Sequence, residues 1–255
     1  PSWRFPISRM DMSSAKYTIS VRMNMIAKVF ASGFILDDFM RIIIDTKENI
    51  FKLAADEITE LINAEPNAAV AFAVGESTLG ILDEAELAGA EIFSVCDYLG
   101  LDPDDERSLK NILKTKLGRD IHSPAGEDYE DEIAACGGID LALLGIGLNG
   151  HIGFNEPASP YDSYTREVKL TDSTKRMKAK YFGGEEKVPD TAITMGLKTI
   201  CSAKKVLLFA FGEEKADIVR KLVYGKTTTY IPAAMLQMHM DTVLYLDSEA
   251  AAKLD

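Results

Sequence analysis

From Met40 onward the apolar positions fall into two alternating patterns. Short unbroken apolar runs occur at Met40–Asp45, Ala68–Val74, Glu91–Val95, Ile139–Leu144, Lys205–Phe211 and Thr242–Asp247. Runs of this kind mark strands buried on both faces of a sheet. Between them lie stretches with helical spacing. In Lys47–Ala64, for example, Ile50, Leu53, Ala54, Ile58, Leu61 and Ile62 share one face. The same spacing predicts helices at Leu79–Ala88, Ser108–Leu117, Asp128–Cys136, Ser173–Tyr181, Ala192–Ile200 and Glu213–Val223, with a further short strand at Arg166–Leu170. Strands alternating with amphipathic helices predict an α/β fold: a doubly wound, mostly parallel, Rossmann-like sheet with helices on both faces. Residues 40–255 read as a single domain. Residues 1–39 do not fit the rhythm and read as an N-terminal extension of uncertain structure, in which Arg4, Arg9, Lys16, Arg22 and Lys28 outnumber the acids.

The richest chemistry follows the strand Ile139–Leu144, in Gly145-Ile-Gly-Leu-Asn-Gly-His-Ile-Gly-Phe-Asn-Glu-Pro157. Glycines allow close backbone approach to a ligand, and open α/β sheets bind ligands at the carboxyl ends of their strands. His151 and Glu156 are the titratable groups of this turn, flanked by the amides of Asn149 and Asn155. Gly145-x-Gly147-x-x-Gly150 also satisfies the dinucleotide spacing, but that fingerprint needs a helix opening at its last glycine, and Pro157 and Pro160 interrupt any long helix. A glycine-rich connection holding a buried structural histidine is the plainer alternative.

Composition narrows the function classes. A formal charge of −12 argues against nucleic acid and anionic membrane as partners, and no apolar run is long enough to span a bilayer. Three scattered cysteines suggest a reducing, cytoplasmic setting without a disulfide framework. With three histidines and no paired ligand spacing, no dedicated metal site is expected. Met235, Met238 and Met240 read as core or subunit-contact residues, His122 as solvent-facing and His239 as structural. The chain ends soon after its last strand, so no extended allosteric segment is expected; monomer and small homo-oligomer both remain open.

The Gly145–Pro157 turn resembles the signature of the glucosamine-6-phosphate deaminase (isomerase) family. The likeness continues through Pro189–Gly196, Gly212–Ala216 and Pro232–His239. It implies a sugar-phosphate isomerase type of fold and conversion of an amino-sugar 6-phosphate to a ketose 6-phosphate with release of ammonia, without metal or organic cofactor. By that resemblance His151, tuned by Glu156 and assisted by Asn149, is the proton shuttle that opens the sugar ring. Gly147 and Gly150 line the substrate. Gly75, Ser77 and Thr78 form the phosphate loop, and Lys180 and Lys215 are its basic ligands. Arg166 and the Ser173–Tyr181 helix resemble the family's mobile lid.

Two segments depart from the family pattern. The position of the C2 base holds Cys96, so the neighbouring carboxylate of Asp97 is the expected base, with a loop or helix-cap role as its alternative. The phosphate loop reads Val74-Gly-Glu-Ser-Thr78, which puts Glu76 beside the expected dianion, and Lys180 stands where an arginine is usual. Two other functions stay open beside a glucosamine- or galactosamine-6-phosphate isomerase. One is a 6-phosphogluconolactonase-like hydrolase, although those enzymes lack the Phe-Asn-Glu-Pro continuation. The other is a non-catalytic sugar-phosphate sensor.

Overall fold

A computed structural model describes residues 17–22 and 39–254. The N-terminal extension therefore lies outside the described residues, apart from a strand β1 (Tyr17–Arg22) and the first residue of β2 (Phe39–Ile44). The remaining strands of the main sheet are β3 (Ala69–Phe72), β4 (Glu91–Ser94), β6 (Leu141–Gly145), β9 (Lys205–Ala210) and β10 (Thr242–Leu246). Their order is β1-β2-β10-β9-β6-β3-β4. All pairings are parallel except β1 with β2.

Side-chain alternation along the buried strands explains the layering. Ala71, Ala142, Leu144, Leu208 and Leu244 point into one apolar cluster, shared with Ile200 of α5 (Leu197–Cys201) and Val219 and Leu222 of α6 (Ala216–Tyr224). Phe72, Leu143, Phe209 and Tyr245 point the other way, into a cluster with Ile50, Ala54 and Ile58 of α1 (Lys47–Ala64) and Leu113 of α2 (Leu109–Leu117). The carboxylate of Asp140 ties two strands at their amino ends by accepting from Ala69 N at 2.7 Å.

The chain runs from β3 outward to β4, but from β6 inward to β9. The connections after β3 and β6 therefore diverge on opposite sides, and their carboxyl ends form a switch point where a crevice opens. A small antiparallel sheet overhangs this end. It is built from β5 (Cys96–Tyr98), β8 (Thr191–Thr194) and β7 (Arg166–Lys169), in the order β5-β8-β7. The helix α4 (Asp172–Phe182) follows β7.

Two predicted helices come out differently. Leu79–Ala88 forms only a 3-10 turn, Leu79–Asp83; Gly80 packs directly against the Phe51 ring, and a Cβ there would overlap it. Ala192–Ile200 is divided between β8 and α5. Its β-branched residues Ile193 and Thr194 pair with both neighbouring strands, and the helix begins only after Gly196.

Candidate active site

β6 delivers the chain to the switch point, and the glycine turn folds back on itself there. Gly147 N donates to His151 O at 2.9 Å, and Asn155 N donates to Ile152 O at 3.1 Å. The imidazole of His151 packs against Gly147, where a Cβ would come within 2.3 Å of the ring. Gly150 adopts φ +85° and sits against Ile231, so both glycines are needed for close approach. Asn155 is fully buried. Its amide donates to the carbonyls of Ile152 and Met195, and its oxygen accepts from Arg166 Nη1 at 2.9 Å. Arg166 is thus fixed to the turn. No helix opens at Gly150, the next one being α4, so the dinucleotide reading lacks the helix N-terminus that would receive a pyrophosphate.

The turn brings His151, Glu156 and Asn149 together as expected. Asn149 Nδ2 donates to Glu156 Oε2 at 2.7 Å, and Asn149 Oδ1 accepts from His151 N at 3.2 Å. The other carboxylate oxygen of Glu156 accepts from the hydroxyls of Thr171, at 3.2 Å, and Thr174. Thr171 also caps α4, so the first turn of that helix is anchored on Glu156. His151 Nδ1 stands 4.0 Å from Glu156 Oε2 and is buried with no hydrogen-bond partner among the described residues. Burial pulls the imidazole pKa down to about 4, against the opposing pull of Glu156; Lys178 and Lys215 push in the same direction as burial. The ring is therefore neutral at physiological pH, with a nitrogen free to exchange a proton.

The loop after β3 meets the same turn: Ser77 Cβ lies 3.7 Å from where Gly145 would carry a Cβ. Lys215 donates to Ile146 O at 2.8 Å, and burial lowers its pKa. Ser77 and Lys215 thus flank one end of the crevice. Thr78 is fully buried and turns inward, its hydroxyl donating to Ala73 O at 2.6 Å; that hydroxyl braces the loop from within. Lys180 is exposed and pairs with Glu76 Oε1 at 2.5 Å, and the same oxygen accepts from the Tyr181 hydroxyl. The loop acid thereby binds to α4. Lys178, also on α4, is half-buried near the same turn. It lies two residues before Lys180 and feels Cys96, Glu76, His151 and Lys215. Its signal was the helical register: Lys178 follows Thr174 by four positions, on the face of α4 that meets Glu156.

Asp97 does not join this group. It caps α2: Oδ2 accepts from Ser108 Oγ at 2.7 Å and Lys110 N at 3.2 Å, and Oδ1 accepts from Leu109 N and Tyr98 N, both at 2.8 Å. Strand alternation is the reason. In β5, Cys96 and Tyr98 face a cluster containing Phe154 and Phe182, and Asp97 faces the opposite side. The structure thus places Asp97 in the helix-cap role stated as its alternative, away from the glycine turn. Burial pushes the Cys96 thiol up to about 12. His122 is half-buried rather than solvent-facing. It stacks on Phe93 with ring centroids 4.2 Å apart and bridges Glu132 at 2.9 Å and Glu91 at 3.1 Å. His239 is braced by Ala203 O at 2.7 Å.

A buried histidine, a held carboxylate and partly desolvated lysines thus come together at a strand switch point of an α/β sheet. Residues 103–245 match the family described as glucosamine-6-phosphate isomerases/6-phosphogluconolactonase, and the chain belongs to that family. Glucosamine-6-phosphate deaminase 2 of Bacillus subtilis (strain 168) is 38% identical over 234 residues, covering 81% of this chain and 94% of the relative. Glucosamine-6-phosphate deaminase of Clostridium botulinum (strain Loch Maree / Type A3) is 34% identical, covering 84% of this chain and 98% of the relative. Among solved structures, a monomeric glucosamine-6-phosphate deaminase superposes with a TM-score of 0.75 at 31% identity, covering 82% of this chain and 97% of that one. A 6-phosphogluconolactonase from Trypanosoma brucei shares the fold, with a TM-score of 0.65 at 18% identity and coverage of 84% of this chain and 98% of that one.

Proposed function

We propose that this chain converts an amino-sugar 6-phosphate to the ketose 6-phosphate with release of ammonia. The observation that carries the reading is the neutral, unpartnered His151 Nδ1 beside the Glu156 carboxylate. A proton shuttle between the anomeric hydroxyl and the ring oxygen needs a group that can accept and return a proton without a standing charge. Glu156, fixed by Asn149, Thr171 and Thr174, orients the imidazole and stabilises the imidazolium that forms transiently. Gly147 and Gly150 let the sugar approach the turn. Gly75, Ser77 and Lys215 form the phosphate end, where backbone N–H groups and an ammonium suit a dianion. The reaction requires water as co-reactant and no organic cofactor or metal.

Glucosamine 6-phosphate is the leading substrate, with its C4 epimer as a close variant. The lactonase alternative is weaker, because Phe154-Asn155-Glu156-Pro157 builds the carboxylate that the shuttle uses, and lactone hydrolysis requires no ring opening of a hemiacetal. No helix among the described residues is long and apolar enough to cross a membrane; we place the protein in the cytoplasm as a monomer or small homo-oligomer. Ammonia release assayed with glucosamine 6-phosphate and galactosamine 6-phosphate side by side tests the reading. Turnover of either supports it. Sugar-phosphate binding without ammonia from either would make the chain a sensor.

A further inference from the structure

Resting on that reading, the crevice leaves one chemical role without an obvious holder. Opening the ring exposes an aldehyde at C1, and the next step removes the proton from C2. Cys96, the first residue of β5, is buried in the apolar cluster with Tyr98 and Phe154, and its thiol holds its proton far above neutrality. Asp97 is turned onto the start of α2 by three hydrogen bonds. Glu156 is held by three donors and serves His151. Lys215 is tied to Ile146 O. Glu76 is held at the rim by Lys180 and Tyr181.

Lys178 is differently situated. One helical turn before it, Thr174 donates to Glu156; one turn after it, Phe182 packs on Tyr98 with ring centroids 5.0 Å apart. The stretch of α4 carrying Lys178 is thereby pinned between the glycine turn and β5. Its side chain is half-buried and its ammonium nitrogen lies 5.8 Å from the Tyr181 ring centroid. It has no hydrogen-bonding or ion-pair partner among the described residues. The charged and titratable groups facing it are Cys96 from β5, Glu76 from the phosphate loop, Lys180 and Tyr181 from its own helix, His151 from the glycine turn and Lys215 from the turn before α6. We propose that Lys178 is the catalytic base that takes the C2 proton, replacing by an amine the carboxylate that this chain lacks at residue 96.

The amine form is favoured by burial and by the neighbouring Lys180, while Cys96 and Glu76 act in the opposite direction. A lysine lowered by burial and like charges is a recognised form of general base. Neutral Nζ takes the C2 proton, the C2–H electron pair forms the C1=C2 bond, and the carbonyl pair moves to O1, which a water molecule protonates. The Lys178 ammonium then returns its proton to C1, leaving an iminium at C2. The hydroxide formed from that water adds to C2, and ammonia leaves as the ketone forms. Lys178 ends as it began, and the sum is amino sugar plus water giving ketose plus ammonia.

The test compares wild type, Lys178→Arg and Lys178→Gln for ammonia release, for uptake of solvent deuterium from D2O into product C1, and for binding of fructose 6-phosphate. Arginine keeps the positive charge but stays protonated. If Lys178 is the base, both variants lose kcat by at least about 100-fold and lose deuterium uptake, while fructose 6-phosphate binding to the arginine variant stays within a few-fold of wild type. If Lys178 only attracts the phosphate, Lys178→Arg keeps its kcat and Lys178→Gln shows a raised KM, which overturns the proposal. Thermal melts establish folding, and either folded variant decides. Should neither fold, Lys178→Cys before and after aminoethylation decides: return of activity supports the base, and activity already present in the cysteine form overturns it. Wild type that releases no ammonia from either sugar overturns the functional reading itself, which separates that failure from this one.

Discussion

His151 Nδ1 stands 4.0 Å from Glu156 Oε2, close enough for a strong electrostatic influence and too far for a hydrogen bond. Asn149 fills the intervening role by donating to that same oxygen at 2.7 Å. The carboxylate is thereby held ready without locking the imidazole. Glu156→Gln removes the group that raises the histidine pKa, so the imidazole should titrate below its present value of about 4. Ring opening should slow by about 10²–10⁴-fold, with sugar-phosphate binding retained. NMR titration of His151 together with kcat checks both effects; a histidine that titrates higher in the variant contradicts the arrangement.

The same histidine should govern part of the acid stability. Its folded-state pKa, about 4, lies below the ordinary value of 6.5. Between those pH values the unfolded chain binds a proton that the folded chain does not. Stability from this residue is therefore full above about pH 6.5 and falls as pH drops towards about 4. His151→Asn should flatten the dependence of Tm on pH across that window, as measured by thermal melts of the two proteins. Equal slopes in both would contradict it.

Asp97→Asn should act on the fold and spare the chemistry. The carboxylate caps α2 through Ser108, Leu109 and Lys110, and weakening such a cap costs about 1–2 kcal/mol. Denaturant unfolding should show that loss, while kcat per folded molecule remains close to wild type. A selective loss of kcat at unchanged stability would return Asp97 to the reaction.

Glu76→Gln should strengthen anion binding. Its carboxylate is held by Lys180 and Tyr181, at the edge of a crevice that also contains Lys178 and Lys215. Removing the charge frees Lys180 and abolishes repulsion of a dianion, worth roughly 1 kcal/mol at an exposed site. Affinity for inorganic phosphate should rise several-fold by calorimetry; weaker binding would show that the loop acid does not oppose the anion.

Much of this was legible in the sequence. The apolar runs at Ile139–Leu144 and Lys205–Phe211 read as buried strands, and the glycine turn declared His151 and Glu156 by composition and spacing. Residues whose placement depends on distant partners were less legible. Asp97 caps a helix that begins twelve residues later, with no local pattern to announce it, and a period-two strand hides which face a carboxylate takes. The stretch Ala192–Ile200 carried helical apolar spacing, but pairing of its first residues with β5 and β7 overrode it. Lys178 and Lys180 are two residues apart on one helix, and only the contact of Thr174 with Glu156 fixes which of them turns to the crevice.

On the proposed mechanism, the His151 turn opens an amino-sugar phosphate for deamination. This is tested most directly by following ammonia and ketose 6-phosphate together from glucosamine 6-phosphate, for wild type and His151→Asn. Wild type should give equal amounts of both products and the variant little of either, although the variant still binds the sugar phosphate. Ketose and ammonia formed at wild-type rates by His151→Asn would contradict it.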